Sequence, residues 1–199
     1  MNENYFKIAI AGGGGVGKSC LAMRFLRDIF LENYDPNFQD FYRNDVMVDD
    51  QVATLEIMDI AYQEEYTPNR DRHLRSQDGF VCVFSLTSKA TVGAVKRALL
   101  RIRRVKEKDK FVGVLIANKC DLSEEERAFS SDVGKDLARE FNVPYFECSA
   151  KTGENVENSF HAIVREIRNT RKNNRRRGRK NNRRRRRRRK KKKSICVVF

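Results

Sequence analysis

The chain has 199 residues, the size of one ordinary domain with a single substantial core. Its formal net charge is +15, from 42 basic and 27 acidic residues. Eighteen basic residues and no acidic one follow residue 170, so the first 170 residues carry 24 basic and 27 acidic side chains. This distribution disfavours a wholly basic nucleic-acid-binding domain, because the positive charge belongs to a tail whose composition cannot pack a core.

The apolar pattern and the cysteines disfavour other classes. No stretch approaches the roughly 18 uninterrupted apolar residues of a membrane-spanning helix, and the first residues lack the pattern of a secretory signal. Five cysteines, an odd number without a CxxC pair, fit reduced thiols better than a disulfide framework. We therefore expect a cytosolic protein. Four of the cysteines are expected to be small packing residues: Cys20, Cys82, Cys120 and Cys148.

Strands and helices alternate in the predicted order of elements. In chain order these are a strand at residues 6–11, a helix at 17–28, strands at 41–48, 51–59 and 79–86, a helix at 92–105, a strand at 111–117, a helix at 131–141, a strand at 143–147 and a helix at 156–167. The continuous apolar runs at 79–86 and 111–117 are typical of strands covered on both faces. The strands at 41–48 and 51–59 flank the turn-like Asp49-Asp50, which predicts a hairpin. We therefore predict a three-layer α/β fold that ends near Thr170, with six mostly parallel strands, one of them antiparallel, and helices on both faces.

A glycine-rich segment follows the first predicted strand. Residues 12–19 read GGGGVGKS and match the pattern G-x-x-x-x-G-K-[ST] between a strand and a helix. Backbone N–H groups of such a loop can surround phosphates, while Lys18 reaches the outer phosphates and the Ser19 hydroxyl can ligate Mg²⁺. The pattern predicts a nucleotide phosphate site but does not distinguish adenine from guanine.

A second motif, about a hundred residues later, favours guanine. The strand at 111–117 runs into Asn118, Lys119, Cys120 and Asp121. The Asp121 carboxylate can accept hydrogen bonds from the N1–H and amino groups of guanine, whereas adenine would leave it unpaired. Asn118 is expected to tie the loops together, and the backbone of Ser149, Ala150 and Lys151 can meet the guanine carbonyl.

With these motifs the chain resembles the small GTPases, and within them the Ras family. The similarity runs from about Tyr5 to Ile167 and includes GGGGVGKS, YDPNFQDFYR, DIAYQEEY, GFVCVF, NKCD and ECSAK. The resemblance implies a P-loop G domain at residues 1–170 that binds GTP or GDP with Mg²⁺ and hydrolyses GTP as a signalling switch. It also implies effector proteins, an exchange factor and a GTPase-activating protein as partners.

The resemblance assigns roles to individual residues. The catalytic residues would be Gln63, which orients the attacking water, and Lys18, which reaches the outer phosphates. Mg²⁺ would be held by Ser19, Asn37 and, through water, Asp59. Phe30 would pack against the guanine. The full nucleotide-binding set is Gly14, Gly15, Val16, Gly17, Lys18, Ser19, Cys20, Phe30, Tyr34, Asn37, Asn118, Lys119, Asp121, Ser149, Ala150 and Lys151. The effector segment is Tyr34, Asp35, Pro36, Asn37, Phe38, Gln39, Asp40, Phe41 and Tyr42.

Two positions depart from the family pattern. Asn37 stands where the family has a threonine that ligates Mg²⁺, and Tyr62 replaces the glycine of DxxG. A longer side chain fits the strict octahedral geometry of Mg²⁺ poorly, and a β-carbon restricts the backbone that approaches the γ-phosphate. Three interpretations stay open: an ordinary cycling switch, a GTPase with impaired hydrolysis or switching, and a nucleotide-binding scaffold without turnover.

The tail carries a separate signal. The last four residues, Cys196-Val-Val-Phe, match C-a-a-X, and the final Phe favours a geranylgeranyl group on Cys196. One prenyl chain binds membranes only marginally, so the basic segment is expected to be the second signal, within a disordered tail at residues 171–199. This predicts the cytoplasmic face of the plasma membrane. The alternative is a nucleic-acid-binding or nuclear protein, disfavoured because the basic run has no interleaved aromatic residues.

Overall fold

The computed structural model describes residues 4–30, 41–59, 68–106 and 111–195, with side chains for all of these except residues 68–70 and 178–195. The elements in chain order are β1 (Tyr5–Gly12), α1 (Lys18–Arg27), β2 (Phe41–Val48), β3 (Gln51–Asp59), α2 (Pro68–Ser76), β4 (Gly79–Ser85), α3 (Lys89–Val105), β5 (Gly113–Asn118), a 3₁₀ turn (Glu124–Glu126), α4 (Asp132–Phe141), β6 (Tyr145–Cys148) and α5 (Val156–Ile195). In the described part of the chain, no helix combines the length and the apolar character needed to cross a membrane.

The six strands form one sheet in the order β2-β3-β1-β4-β5-β6. Strands β3, β1, β4, β5 and β6 run parallel, and β2 pairs antiparallel with β3 from Phe41 opposite Met58 to Val48 opposite Gln51. Asp49 and Asp50 connect these two strands with φ values of 53° and 57°. Two consecutive positive φ values suit a tight hairpin turn, and they confirm the hairpin predicted at this point.

Two apolar cores lie on opposite faces of the sheet. Phe160 and Ile163 of α5 and Leu21 of α1 pack on one face. Leu99 of α3 and Phe141 of α4 pack on the other face. The fold is therefore the predicted three-layer α/β sandwich, with a mostly parallel six-stranded sheet and helices on both sides.

Helix α2 was not predicted from the sequence. Its nine residues, PNRDRHLRS, include a single large apolar side chain, Leu74, which is 2% exposed and packs beneath α3. One apolar residue cannot produce a helical period, so the pattern contains no signal for this helix. Its position is set by contacts with α3, where Arg101 Nε donates to Asp71 Oδ1 at 2.9 Å and Lys106 Nζ donates to the Arg75 carbonyl at 3.0 Å.

Helix α5 extends far beyond its predicted end at residue 167 and beyond the predicted end of the fold near Thr170. It continues to Ile195 through the basic segment, where composition predicted a disordered tail. Arg and Lys are intrinsically good helix formers, and no proline interrupts this stretch, so the backbone can continue the helix without support from a core.

The first residue of the basic segment is attached to the domain. Arg171 Nη2 donates to the Tyr5 carbonyl at 2.9 Å and lies 2.8 Å from Asp78 Oδ2. Its guanidinium also stands 4.8 Å from the centre of the Phe6 ring. These contacts place Arg171 with the packed part of the domain, one residue beyond the predicted boundary at residue 170.

We expect Arg171→Ala to lower the free energy of unfolding of the GDP-bound protein by about 1 kcal/mol, since it removes a half-buried ion pair and a hydrogen bond to a carbonyl. Equilibrium denaturation in urea measures this change. The exposed Arg176 is the matched control, and Arg176→Ala should leave stability within about 0.5 kcal/mol of the unsubstituted chain. Equal stabilities of the two variants would contradict the role given to Arg171.

Candidate nucleotide site

The predicted functional segments meet at one edge of the sheet. The glycine loop follows β1, Asp59 ends β3, Asn118 ends β5, and the Ser149 segment follows β6, so all four lie at carboxyl ends of parallel strands. The chain order reverses at β1, which has β3 on one side and β4 on the other. In open α/β sheets the crevice outside such a reversal is where ligands bind.

At Gly12 and Gly17, the glycine loop has no room for a side chain. Gly17 has φ +88° and ends the loop immediately before α1, and a Cβ there would lie 2.4 Å from Asn118 Nδ2. A Cβ on Gly12 would lie 2.1 Å from the Val83 carbonyl oxygen. A Cβ on Gly14 or Gly15 would instead meet no atom of the described residues within 4 Å.

Lys18 and Ser19 begin α1 directly after this loop. Both are 8% exposed, and Lys18 Nζ donates to the Gly13 carbonyl at 3.1 Å, so its ammonium group folds back over the loop. No acidic residue occupies the first turn of α1. The helix N-terminus, the loop N–H groups and the lysine therefore provide a positive cradle suited to phosphate groups.

The side chain of Asn118 joins the glycine loop to the loop after β6. It is 2% exposed, its Nδ2 donates to the Val16 carbonyl at 2.8 Å, and its Oδ1 accepts from the Ala150 N–H at 3.1 Å. Residues 102 and 32 positions away in sequence are thus held by one amide. The connection between loops that the sequence predicted for Asn118 is present.

Asp59 meets the start of α1. The Ser19 hydroxyl donates to Asp59 Oδ2, which places an alcohol and a carboxylate oxygen side by side at the start of α1. Both are the hard oxygen ligands that Mg²⁺ prefers. Across the described ranges, no three His, Cys, Asp or Glu side chains cluster as metal ligands.

The base-binding motif forms the loop after β5. Lys119 is half-buried with φ +70°, and Asp121 is exposed at the rim of the site. Opposite this loop, Ser149 is fully buried, and its hydroxyl accepts the Thr152 N–H at 3.0 Å, while Lys151 is exposed. Two loops with potential contacts to a base therefore stand on either side of the Asn118 bridge.

Comparison with known proteins matches this arrangement to one family. The Ras family model matches residues 7–169. Ras-like protein 2 of Mucor circinelloides f. lusitanicus is 41% identical over 167 residues, which cover 84% of each chain. The Ras-like protein of Laccaria bicolor is 42% identical over 84% of this chain and 79% of its own, and protein ras-1 of Neurospora crassa is 43% identical over 84% and 78%.

The chain belongs to the Ras family. It is a small GTPase that binds guanine nucleotide, hydrolyses GTP and acts as a signalling switch with regulators and effectors. The glycine loop and the Asn118 motif lie inside the matched region, which ends just before Arg171. The basic segment lies outside it.

Several predicted site residues of this Ras-family protein have clear positions. Phe30 is half-buried against the core beside α1, and Cys20 is half-buried in the first turn of α1. In the effector segment, Phe41 is 51% exposed at the start of the edge strand β2. Tyr42 is 6% exposed, so its side chain packs in the core rather than facing a partner. Outside the described residues lie Tyr34, Asp35, Pro36, Asn37, Phe38, Gln39, Asp40, Tyr62, Gln63 and Cys196.

Burial keeps the cysteine thiols near the site protonated. Cys120, inside the base motif, is half-buried, and burial followed by the Glu154 carboxylate raises its pKa to about 11. Its Sγ donates to Glu154 Oε2 at 3.6 Å. Burial raises the pKa of Cys82 and of Cys148 to about 12, and also raises that of Cys20. These four cysteines are therefore packing residues without thiolate character near neutral pH, as predicted.

The sequence did not identify Arg127 as part of the site. Its Nη2 donates to the Cys120 carbonyl at 2.7 Å and its Nε to the Leu122 carbonyl at 3.3 Å, while Nη1 lies 3.7 Å from Glu147 Oε2. Arg127 thus holds the loop that carries Asp121. A single arginine after an acidic turn has no distinguishing pattern, so no sequence signal marks it.

Proposed function

We propose that this Ras-family GTPase binds its guanine nucleotide with Mg²⁺ in the crevice beside β1 and works at the cytoplasmic face of the plasma membrane. The observation that carries the proposal for the site is the Asn118 amide, which joins the phosphate loop at Val16 to the loop at Ala150. One side chain therefore holds the phosphate cradle and the proposed base pocket together. Such a site fits a nucleotide, which has both phosphates and a base. The membrane location is supported by the sequence of the tail.

In this proposal, guanine lies between the loops on either side of Asn118. The Asp121 carboxylate accepts hydrogen bonds from the N1–H and 2-amino groups, which adenine does not offer in that arrangement. The stem of Lys119 covers one face of the base, and Phe30 packs at its edge. The backbone N–H of Lys151 meets the carbonyl at position 6, since the N–H groups of Ser149 and Ala150 already donate to Glu154 and Asn118. Val16, Gly17 and the other loop residues contact the phosphates.

Mg²⁺ would be held by Ser19 and, through water, by Asp59, and it would neutralise charge on the β- and γ-phosphates. The contact between the Ser19 hydroxyl and the Asp59 carboxylate supports this assignment, because it brings two hard oxygen ligands together at the start of α1. Lys18 adds a positive charge from within the loop. Asn37 is the third proposed ligand, through its side-chain carbonyl oxygen.

Hydrolysis in this proposal depends on Gln63 to orient water toward the γ-phosphate. A Cβ on Gly14 would meet no atom of the described residues within 4 Å, which supports an approach to this position by that water and by an arginine of an activating protein. Turnover is expected to be slow without such a partner. The exposed Phe41 supports a contact between the start of β2 and an effector.

Tyr62 and Asn37 are proposed to slow the chemical step or the switch. A tyrosine restricts the backbone that must turn its N–H toward the γ-phosphate, and an asparagine places its oxygen further from the backbone than a threonine does. The resulting GTPase would remain in one nucleotide state for longer than a typical member of the family.

We expect the double variant Tyr62→Gly with Asn37→Thr to hydrolyse bound GTP at least about tenfold faster, because it restores both contacts to the phosphate and metal. Single-turnover hydrolysis with Mg²⁺ present measures the rate. Tyr62→Ala is the matched control, because it removes the phenol without restoring the conformational freedom of glycine. A double variant with no gain in rate would contradict the proposal.

Membrane attachment is proposed to combine a prenyl group on Cys196 with the basic segment. Each basic residue near an anionic leaflet contributes roughly 1 kcal/mol, with smaller gains after the first several. The 18 basic residues after residue 170 carry enough charge for this second signal, and no other cysteine follows Cys148 that could carry another acyl chain. The competing proposal, binding to RNA or an import receptor, rests on the same charge without Cys196.

We expect Cys196→Ser to abolish plasma-membrane localisation of the full chain, tagged at its N-terminus, because the basic segment alone lacks an apolar anchor. Ser194→Ala is the matched control two residues away and should localise like the unsubstituted chain. Fluorescence imaging and membrane fractionation measure the change. Persistent membrane binding of Cys196→Ser would overturn prenylation as the deciding signal, and retention of the unsubstituted chain in the nucleus would favour the competing proposal.

A further inference from the structure

Arg24 of α1 donates two hydrogen bonds to the loop that is proposed to meet the guanine carbonyl. Arg24 Nε donates to the Ala150 carbonyl at 2.9 Å, and its Nη2 donates to the Lys151 carbonyl at 2.7 Å. The side chain is 17% exposed. These two carbonyls are consecutive, so a planar guanidinium fixes both the position and the tilt of this part of the loop.

The same guanidinium also holds the end of α1. Arg24 Nη1 donates to the Asp28 carbonyl at 3.1 Å and to Asp28 Oδ1 at 2.9 Å. Asp28 ends the helix with φ 54°, and its N–H donates to the Arg24 carbonyl at 3.0 Å. Phe30, the residue proposed to pack against the base, follows two positions later.

We infer that Arg24 is a positioning residue that sets the lifetime of bound guanine nucleotide by holding two walls of the base pocket together. One wall is the Ala150–Lys151 segment, and the other is the segment between the end of α1 and Phe30. Arg24 acts through the backbone carbonyls of Ala150 and Lys151 and occupies none of the N–H groups of the loop. The inference rests on the proposed placement of guanine against residues 149–151.

Only an arginine can make this set of contacts. Three nitrogens of one rigid fork reach two carbonyls of the loop and two acceptors on Asp28. A lysine carries a single ammonium at the end of a flexible stem, so it can keep the charge but not the geometry. Arg24→Lys should therefore recover part of the function and Arg24→Ala none of it.

The test measures dissociation of a fluorescent GDP analogue from the full chain with Mg²⁺ present. We expect Arg24→Ala to accelerate dissociation by about tenfold or more, and Arg24→Lys by an intermediate factor. The exposed Arg27, in the same turn of α1, is the matched control, and Arg27→Ala should stay within about twofold of the unsubstituted chain. Single-turnover hydrolysis of GTP already bound should change by less than about twofold, because the hydrogen bonds of Arg24 go to Ala150, Lys151 and Asp28, which the proposal places beside the base.

A second readout separates positioning from general loss of stability. Affinities are measured for GDP and for 6-thio-GDP, which differ only in the atom at position 6 of the base. A loop held by Arg24 should bind GDP more tightly than 6-thio-GDP, because sulfur is a weaker hydrogen-bond acceptor than oxygen. The ratio of the two affinities should fall toward one in Arg24→Ala but stay unchanged in Arg27→Ala. Destabilisation alone would weaken both ligands equally.

The outcomes also distinguish this inference from the proposed function. If the unsubstituted chain binds GDP and prefers it over 6-thio-GDP, but Arg24→Ala keeps its dissociation rate and this preference, the inference about Arg24 is overturned while the base pocket stands. If the unsubstituted chain shows no preference between the two ligands, the proposed placement of guanine against residues 149–151 is contradicted, and with it the inference about Arg24. Circular dichroism checks that each variant is folded.

Discussion

The side-chain amide of Asn118 is the contact on which the nucleotide site depends. It is almost completely buried and uses its donor on Val16 and its acceptor on Ala150, so both ends of the amide are bonded to backbone. Gly17 must lack a side chain for the amide to fit. The phosphate loop, the base motif and the loop after β6 are therefore mutually constrained, and a change in one is transmitted to the others. Such buried polar networks are costly when one member is removed.

Arginines reinforce this arrangement from outside the crevice. Arg24 holds the loop after β6, and Arg127 holds the loop after β5, in both cases by donating to backbone carbonyls. The two loops proposed to meet the base are thus each held by an arginine, and Asn118 links them. Arg171 has a similar role at the far end of the sheet, where it joins α5 to β1 and Asp78. Each guanidinium binds a segment that has no regular secondary structure or lies at a strand end.

The sequence predicted most of the sheet because its strands carry local signals. Continuous apolar runs identified β4 and β5, and two aspartates marked the turn of the β2–β3 hairpin. The site was predictable where residues of special chemistry keep a fixed spacing, as in GGGGVGKS and NKCD. Helix α2 and the contacts of Arg24 were not predictable. The helix has one buried apolar residue, and Arg24 meets a carbonyl 126 positions away through a side chain that looks like any surface arginine.

Charge divides the molecule into two parts. The first 170 residues carry 24 basic and 27 acidic side chains and hold the site, whereas the following segment carries 18 basic residues and continues α5 to Ile195. At about 1.5 Å per residue, the helix beyond Arg171 is roughly 36 Å long. Because Arg168 donates to the Val48 carbonyl at 2.9 Å and Arg171 to that of Tyr5, the start of this basic helix has a defined position on the domain.

The most direct test of the account is the affinity for GDP of the unsubstituted chain and of Asn118→Ala, measured by calorimetry with Mg²⁺ present. The exposed Asn158 provides the matched control, Asn158→Ala. The account predicts that Asn118→Ala binds GDP about a hundredfold more weakly or worse, because two buried backbone groups lose their partner and two walls of the site separate. A folded Asn118→Ala that binds GDP within about threefold of the unsubstituted chain and of Asn158→Ala would contradict it.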